Sequence, residues 1–172
     1  MYQVGDYVVK MNAGICHIED IVHMDGASGG RNKLYYLLVP LSDGKMKIYV
    51  PMDHGDSVLR KALNSKEAWD VVEHISQIEA ADIENEKMRE QEYKEAIRSC
   101  KPESWVSIIK TMYLRKQKRY AQGKKEAAMD ERYFRMAEDY LYTELAFAIG
   151  RNKGEMIQLI ADTIHEHEKI EK

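Results

Sequence analysis

Glycine and proline are distributed so unevenly that one secondary-structure class cannot run through the whole chain. Seven of the ten glycines and two of the three prolines lie in residues 1–63, while residues 64–172 hold only Gly123, Gly150, Gly154 and Pro102. Chain breakers at the first density leave room for short strands and turns. Their scarcity afterwards permits long helices. The expected fold class is therefore α+β, with one domain at 1–63 and a helical domain at 64–172. A chain of 172 residues can bury a core without disulfide or metal staples. With 44% apolar and 32% charged residues it is not a disordered composition.

The first part reads as strands. Tyr7-Val8-Val9 follows the turn pair Gly5-Asp6, and Ile15, Ile18 and Ile21 mark a second β-rich stretch. Gly26-Ala27-Ser28-Gly29-Gly30 is expected to be a hairpin loop, since no Gly-Lys-Ser/Thr follows it and no helix opens there. Leu34 to Val39 is rich in β-formers. Lys45 to Val50 alternates as a half-exposed strand does, and Pro51 ends it. About five short strands in so few residues imply a small, curved Tudor- or SH3-like β-barrel.

The second part reads as a bundle of about five helices. Trp69, Val72, Ile75 and Ile78 share one face of a helix starting near Ser65, the expected N-cap. A second helix is expected from about Ile83 to Ser99. Pro102 opens a third, carrying Trp105, Ile108, Ile109 and Met112, which Gly123 ends. Asp130 opens a fourth, and Met156, Ile157, Ile160 and Ile164 stripe a fifth. Trp69, Trp105 and the Tyr133/Tyr140/Phe147 series fall at core spacing.

The net charge of −3 conceals an asymmetry. Ser104 to Lys125 carries Lys110, Arg115, Lys116, Lys118, Arg119, Lys124 and Lys125 and no acid, whereas Glu79 to Glu95 carries seven acids. Such a basic helix suits nucleic-acid phosphates, but it equally suits a solvated face or one paired with the neighbouring acids. No catalytic or metal constellation stands out. The six histidines form no HExxH, and His165 and His167 would point apart on a helix. Cys16 and Cys100, 84 positions apart, make no zinc spacing or disulfide framework and fit a reducing cytoplasm. The apolar run that includes Tyr35 to Leu41 is too short for a transmembrane helix, and Met1 to Asp6 does not open a secretory signal.

Several strings, in order, resemble the CarD/CdnL family of bacterial transcription regulators. Val4-Gly5-Asp6-Tyr7-Val8-Val9 and Gly14-Ile15-Cys16-His17-Ile18-Glu19 look like its opening. Lys33 to Leu38 and Met46 to Pro51 look like its central strands. Tyr113 to Arg119 and Ala137 to Ala146 look like its basic and E-L-A helices. The first module alone is also similar to the polymerase-interacting domain of transcription-repair coupling factors, but the helical remainder is unlike a translocase.

The resemblance implies a cytoplasmic, monomeric, non-enzymatic protein without cofactor. Its N-terminal module would dock on the RNA polymerase β subunit. Its helical module would contact double-stranded promoter DNA with weak sequence preference and stabilise the open complex. The alternative is a polymerase-binding adaptor whose helical module grips another protein. The polymerase contact is placed on Lys47, Ile48, Tyr49, Val50 and Pro51, with Met24 on the neighbouring strand. The DNA contact is placed on Arg89, Lys94, Arg115, Lys116, Lys118 and Arg119. In the family a tryptophan wedge lies four residues before a Tyr-Lys pair. Here the pair is Tyr93-Lys94 and that position is Arg89, which can hold a phosphate but cannot unstack a base step.

Overall fold

The computed structural model describes residues 1–25 and 32–170. The glycine-rich stretch at 26–30 lies outside the described residues, as do the side chains of Ile164, His165 and His167. The chain divides into two compact units, Met1–Ala62 and Leu63–Lys172.

The first unit is one antiparallel sheet of five strands: β1 (Tyr7–Lys10), β2 (Gly14–Met24), β3 (Lys33–Pro40), β4 (Ile48–Pro51) and β5 (Leu59–Lys61). The strand order is β4-β3-β2-β1-β5, so β4 and β5 are its edges. The β2–β3 register shifts between Ile18 and Asp20, and such a bulge lets a long strand bend across its neighbours. Val8, Cys16, Ile18, Tyr36, Leu38, Val50 and Leu59 form the core. A 3-10 turn at Met52–His54 and the one-turn helix α1 (Gly55–Val58) link β4 to β5. Gly55 is required there, because a Cβ would sit 2.8 Å from the Tyr36 ring. The Tyr36 hydroxyl accepts the Tyr2 N–H at 3.1 Å, and the Tyr2 hydroxyl donates to Leu59 O at 3.0 Å.

Two expectations change here. The strand anticipated from Lys45 begins only at Ile48, because Ser42 to Lys47 turns and runs exposed. The sheet has the expected five strands, but the sequence did not place the fifth, β5, because three residues are too few for a periodic signal.

The second unit is built on α2 (Ser65–His74), α3 (Arg89–Arg98), α4 (Pro102–Ala121), α5 (Ala128–Ile149) and α6 (Lys153–Ile170), with 3-10 turns at Ile75–Gln77 and Glu86–Met88. Helix α5 packs against α2, α3, α4 and α6. Asn64, not Ser65, caps α2, through a reciprocal box with Glu67. Helix α3 starts at Arg89 rather than near Ile83, since residues 78–85 are neither helix nor strand. Helix α5 starts at Ala128, which puts Asp130 inside its first turn. Gly150 ends α5 with φ +76°, and Gly150 and Arg151 both donate to Ala146 O.

Trp105 is buried, stacks on Tyr140 with ring centroids 5.7 Å apart and donates to Ile97 O at 3.5 Å. Trp69 is only half-buried, under the Arg151 guanidinium. Phe147 and Ile157, expected in the core, are 38% and 46% exposed. The buried stripes run instead through Tyr133, Ala137, Leu141 and Leu145 on α5 and Met156 and Ile160 on α6. Heptad spacing along α5 drifts off a straight helix face, and Phe147 has drifted out of the seam.

Candidate functional site

Two surfaces carry the candidate residues. The first is the β4 edge. Register with β3 pairs Ile48 with Leu38, Tyr49 with Leu37, Val50 with Tyr36 and Pro51 with Tyr35. Alternation turns Val50 into the core and Tyr49 out, 44% exposed. Lys47 is exposed just before the strand. An edge strand keeps unpaired N–H and C=O groups on its outer side, which can extend a partner's sheet. Met24 does not lie on the strand beside β4. It pairs with Lys33 at the far end of β2, and β3 separates the two. Sequence order made β2 and β4 look adjacent; the β2–β3 hairpin puts β3 between them.

The second surface is α4 with its surroundings, and much of its charge is consumed internally. Arg115 Nε donates to Asp130 Oδ2 at 3.0 Å and Nη1 to Glu86 Oε1 at 2.7 Å. Burial disfavours the Arg115 charge, but Asp130 and Glu86 outweigh it and raise its pKa. Lys116 pairs with Glu126 at 3.2 Å, and Lys94 with Glu90 at 3.6 Å. Lys110 Nζ donates to the carbonyls of Ile75, Ser76 and Ile78, closing the end of the α2 segment. Arg119 Nε donates to Lys125 O at 2.8 Å and has no acid partner among the described residues. Lys118 is exposed and makes no ion pair among the described residues.

Arg89 is not a projecting wedge. Its side chain is 14% exposed, pairs with Glu86 through Nη1, and brings Nε to 3.2 Å from Asp130 Oδ1. That last approach is out of hydrogen-bond alignment, so Arg89 Nε, Asp130 Oδ1 and the Tyr93 hydroxyl are buried without hydrogen bonds. Burial and then the Asp130 charge push the Tyr93 phenol well up. Asp130, 3% exposed, is thus the centre of a buried ionic cluster.

Sequence reading offered the Glu79 to Glu95 acids, Glu86 among them, as partners of the basic helix, but it missed Asp130. An acid in the first turn of a helix ordinarily reads as a dipole complement. It also missed Glu144, a buried carboxylate of α5 that accepts the Leu63 N–H at 3.0 Å. Among the described residues no group of three or more His, Cys, Asp or Glu side chains is placed to hold a metal ion. None of their helices is long and apolar enough to cross a membrane.

Comparison with known families places a match on the first unit: the model of the CarD-like/TRCF RID domain covers residues 2–63. No curated protein matches the chain. The match coincides with the five-stranded sheet and agrees with the resemblance carried by Val4–Val9, Gly14–Glu19 and Met46–Pro51. This domain family is non-enzymatic and mediates interaction with the RNA polymerase β subunit. Residues 2–63 of this chain, the Tudor-like sheet with β4 at its edge, are similar to the CarD-like/TRCF RID domain, and the match is consistent with a CarD-like family member.

Proposed function

We propose that this protein is a bacterial, cytoplasmic, monomeric transcription regulator. It docks on the RNA polymerase β subunit through the β4 edge, by Lys47, Ile48, Tyr49, Val50 and Pro51, and its helical unit contacts promoter DNA to stabilise the open complex. The observation that carries the reading is an exposed sheet edge in a domain whose family binds that subunit. Met24, two strands away, plays at most a flanking part. Lys118 and Arg119, α4 cations that make no ion pair among the described residues and are not tied up as Lys110 is by three backbone carbonyls, support the DNA contact.

The second reading, an adaptor whose helical unit grips another protein, is favoured by a specific observation. Arg89, Lys94, Arg115 and Lys116 all pair with carboxylates of the same unit. Cations already neutralised release few counterions from DNA.

Two measurements test these readings. Tyr49→Ala, which removes an exposed side chain, should weaken binding to the isolated β subunit about tenfold, the weight of a central interface aromatic, without altering the melting curve. Unchanged affinity would remove β4 from the contact. For DNA, affinity should fall with salt at a slope near −0.9 per phosphate held. Lys118→Glu with Arg119→Glu should flatten that slope by about 2. DNA binding that is absent or indifferent to salt leaves the adaptor reading standing.

A further inference from the structure

The 3-10 turn Glu86–Met88 sets one carboxylate over two guanidiniums. Glu86 Oε1 accepts from Arg115 Nη1 at 2.7 Å, and Glu86 Oε2 accepts from Arg89 Nη1. Convergent arginine forks are the arrangement that holds carboxylate and phosphate oxyanions. The two anions of the cluster have different roles. Asp130 is 3% exposed; it accepts a hydrogen bond from Arg115 Nε and lies within ion-pair distance of Arg89 Nε. Glu86 is 64% exposed and meets the same arginines from the solvent side. Asp130 thus meets the two arginines at atoms that Glu86 does not touch.

Beside Glu86 opens a cleft of about 230 Å³ that Arg89, Arg115, Thr111, Leu114 and Lys118 help to line. Arg89 and Arg115 pair with Glu86 and Asp130, and Lys118, which makes no ion pair among the described residues, lines the same cleft. If Glu86 swings away, three positive charges remain around one buried negative charge. The backbone leading into the turn, residues 78–85, is neither helix nor strand; α4 ties it at Ile78 through Lys110 and at Ala81 through Thr111, both short of Glu86. An exposed carboxylate pair contributes little net free energy, because water competes for both partners. A phosphate brings up to two charges and three acceptor oxygens to the same forks.

We propose that Glu86 is an internal plug on a phosphate-binding site formed by Arg89 and Arg115, and that a phosphate oxyanion displaces it. The source of that oxyanion is a small phosphorylated ligand or the DNA backbone. The inference is independent of the polymerase contact; it shares Arg89 and Arg115 with the DNA reading and goes beyond it in making Glu86 a displaceable competitor, so it can hold for a small ligand where the DNA reading fails.

The test uses the full chain, wild type and Glu86→Gln, titrated calorimetrically with inorganic phosphate and by anisotropy with a short DNA duplex, at matched ionic strength. Glu86→Gln should bind at least one of the two about fivefold tighter, since an exposed competing pair has been removed. Adding Arg115→Lys, which keeps the charge but loses the fork, should abolish the gain. A gain for phosphate alone assigns a small ligand and leaves the DNA reading to fail separately. A gain with DNA assigns the backbone as a source. No gain with either probe, in a variant whose melting is unchanged, overturns the proposal. Should Glu86→Gln fail to fold, wild-type NMR decides. The Nε–H signals of Arg89 and Arg115 must shift with phosphate and not with chloride, and immobile signals overturn the proposal.

Discussion

Asp130→Ala is the most informative single perturbation of the helical unit. Asp130 is 3% exposed and lies 3.0 Å from Arg115 Nε and 3.2 Å from Arg89 Nε. Truncation strands two guanidiniums whose side chains are only 25% and 14% exposed. Removing one partner of a buried ion pair costs about 3–5 kcal/mol. Both arginines keep Glu86 and some water, so the expected loss is about 2–3 kcal/mol. In a unit of this size that lowers the melting temperature by on the order of 10 °C. Asp130→Asn should lose nearly as much, because an amide fills the volume without neutralising either arginine.

The assay is urea denaturation followed by tryptophan fluorescence. Trp69 and Trp105 are the two tryptophans, and both lie in the helical unit, so the signal reports that unit even in the full chain. A loss below about 1 kcal/mol, the range of solvent-exposed pairs, would refute the reasoning. The cluster would then be solvated, its arginines would be available to DNA, and the internal pairing that favours the adaptor reading would collapse.

Three further outcomes are expected. Asn64→Ala removes one half of the α2 capping box and should destabilise the helical unit by about 1 kcal/mol in the same urea assay, while Ser65→Ala should change little. The Tyr133 hydroxyl, followed by Lys94, holds the Glu90 carboxyl below its usual range. A depressed carboxyl stabilises the fold above its unfolded pKa and loses that contribution as pH falls through its folded pKa. Acid titrations of stability for wild type and Tyr133→Phe should therefore differ at neutral pH in the part owed to Glu90 and converge in acid. Burial pushes the Cys16 thiol up to about 11, so alkylation at neutral pH should leave it unmodified in the native chain and modify it after urea unfolding, as read by mass spectrometry.

What was legible in the sequence was local. Strand-forming runs at Tyr7-Val8-Val9 and Leu34 to Val39, the helix opened by Pro102 and the left-handed stop at Gly150 follow from φ/ψ preferences that act within a few residues. They sufficed for a Tudor-like sheet followed by helices. Boundaries were less legible where neighbours compete. Asn64 and Ser65 are both capping types, and the Glu67 side chain that returns to the Asn64 N–H decides between them.

Tertiary structure alone decided the meaning of the charges. Sequence shows an acid-free basic helix, and nothing along the chain tells a free lysine from a paired one. Arg115 finds Glu86 at 29 positions' distance and Asp130 at 15. Arg89, expected to hold a phosphate, turns inward to the same carboxylate. Coulomb energy depends on separation and burial, which the packing of α3, α4 and α5 sets. The same reason puts β3 between Met24 and the β4 edge: alternation along a strand is written locally, but which strands become neighbours is a property of the folded sheet.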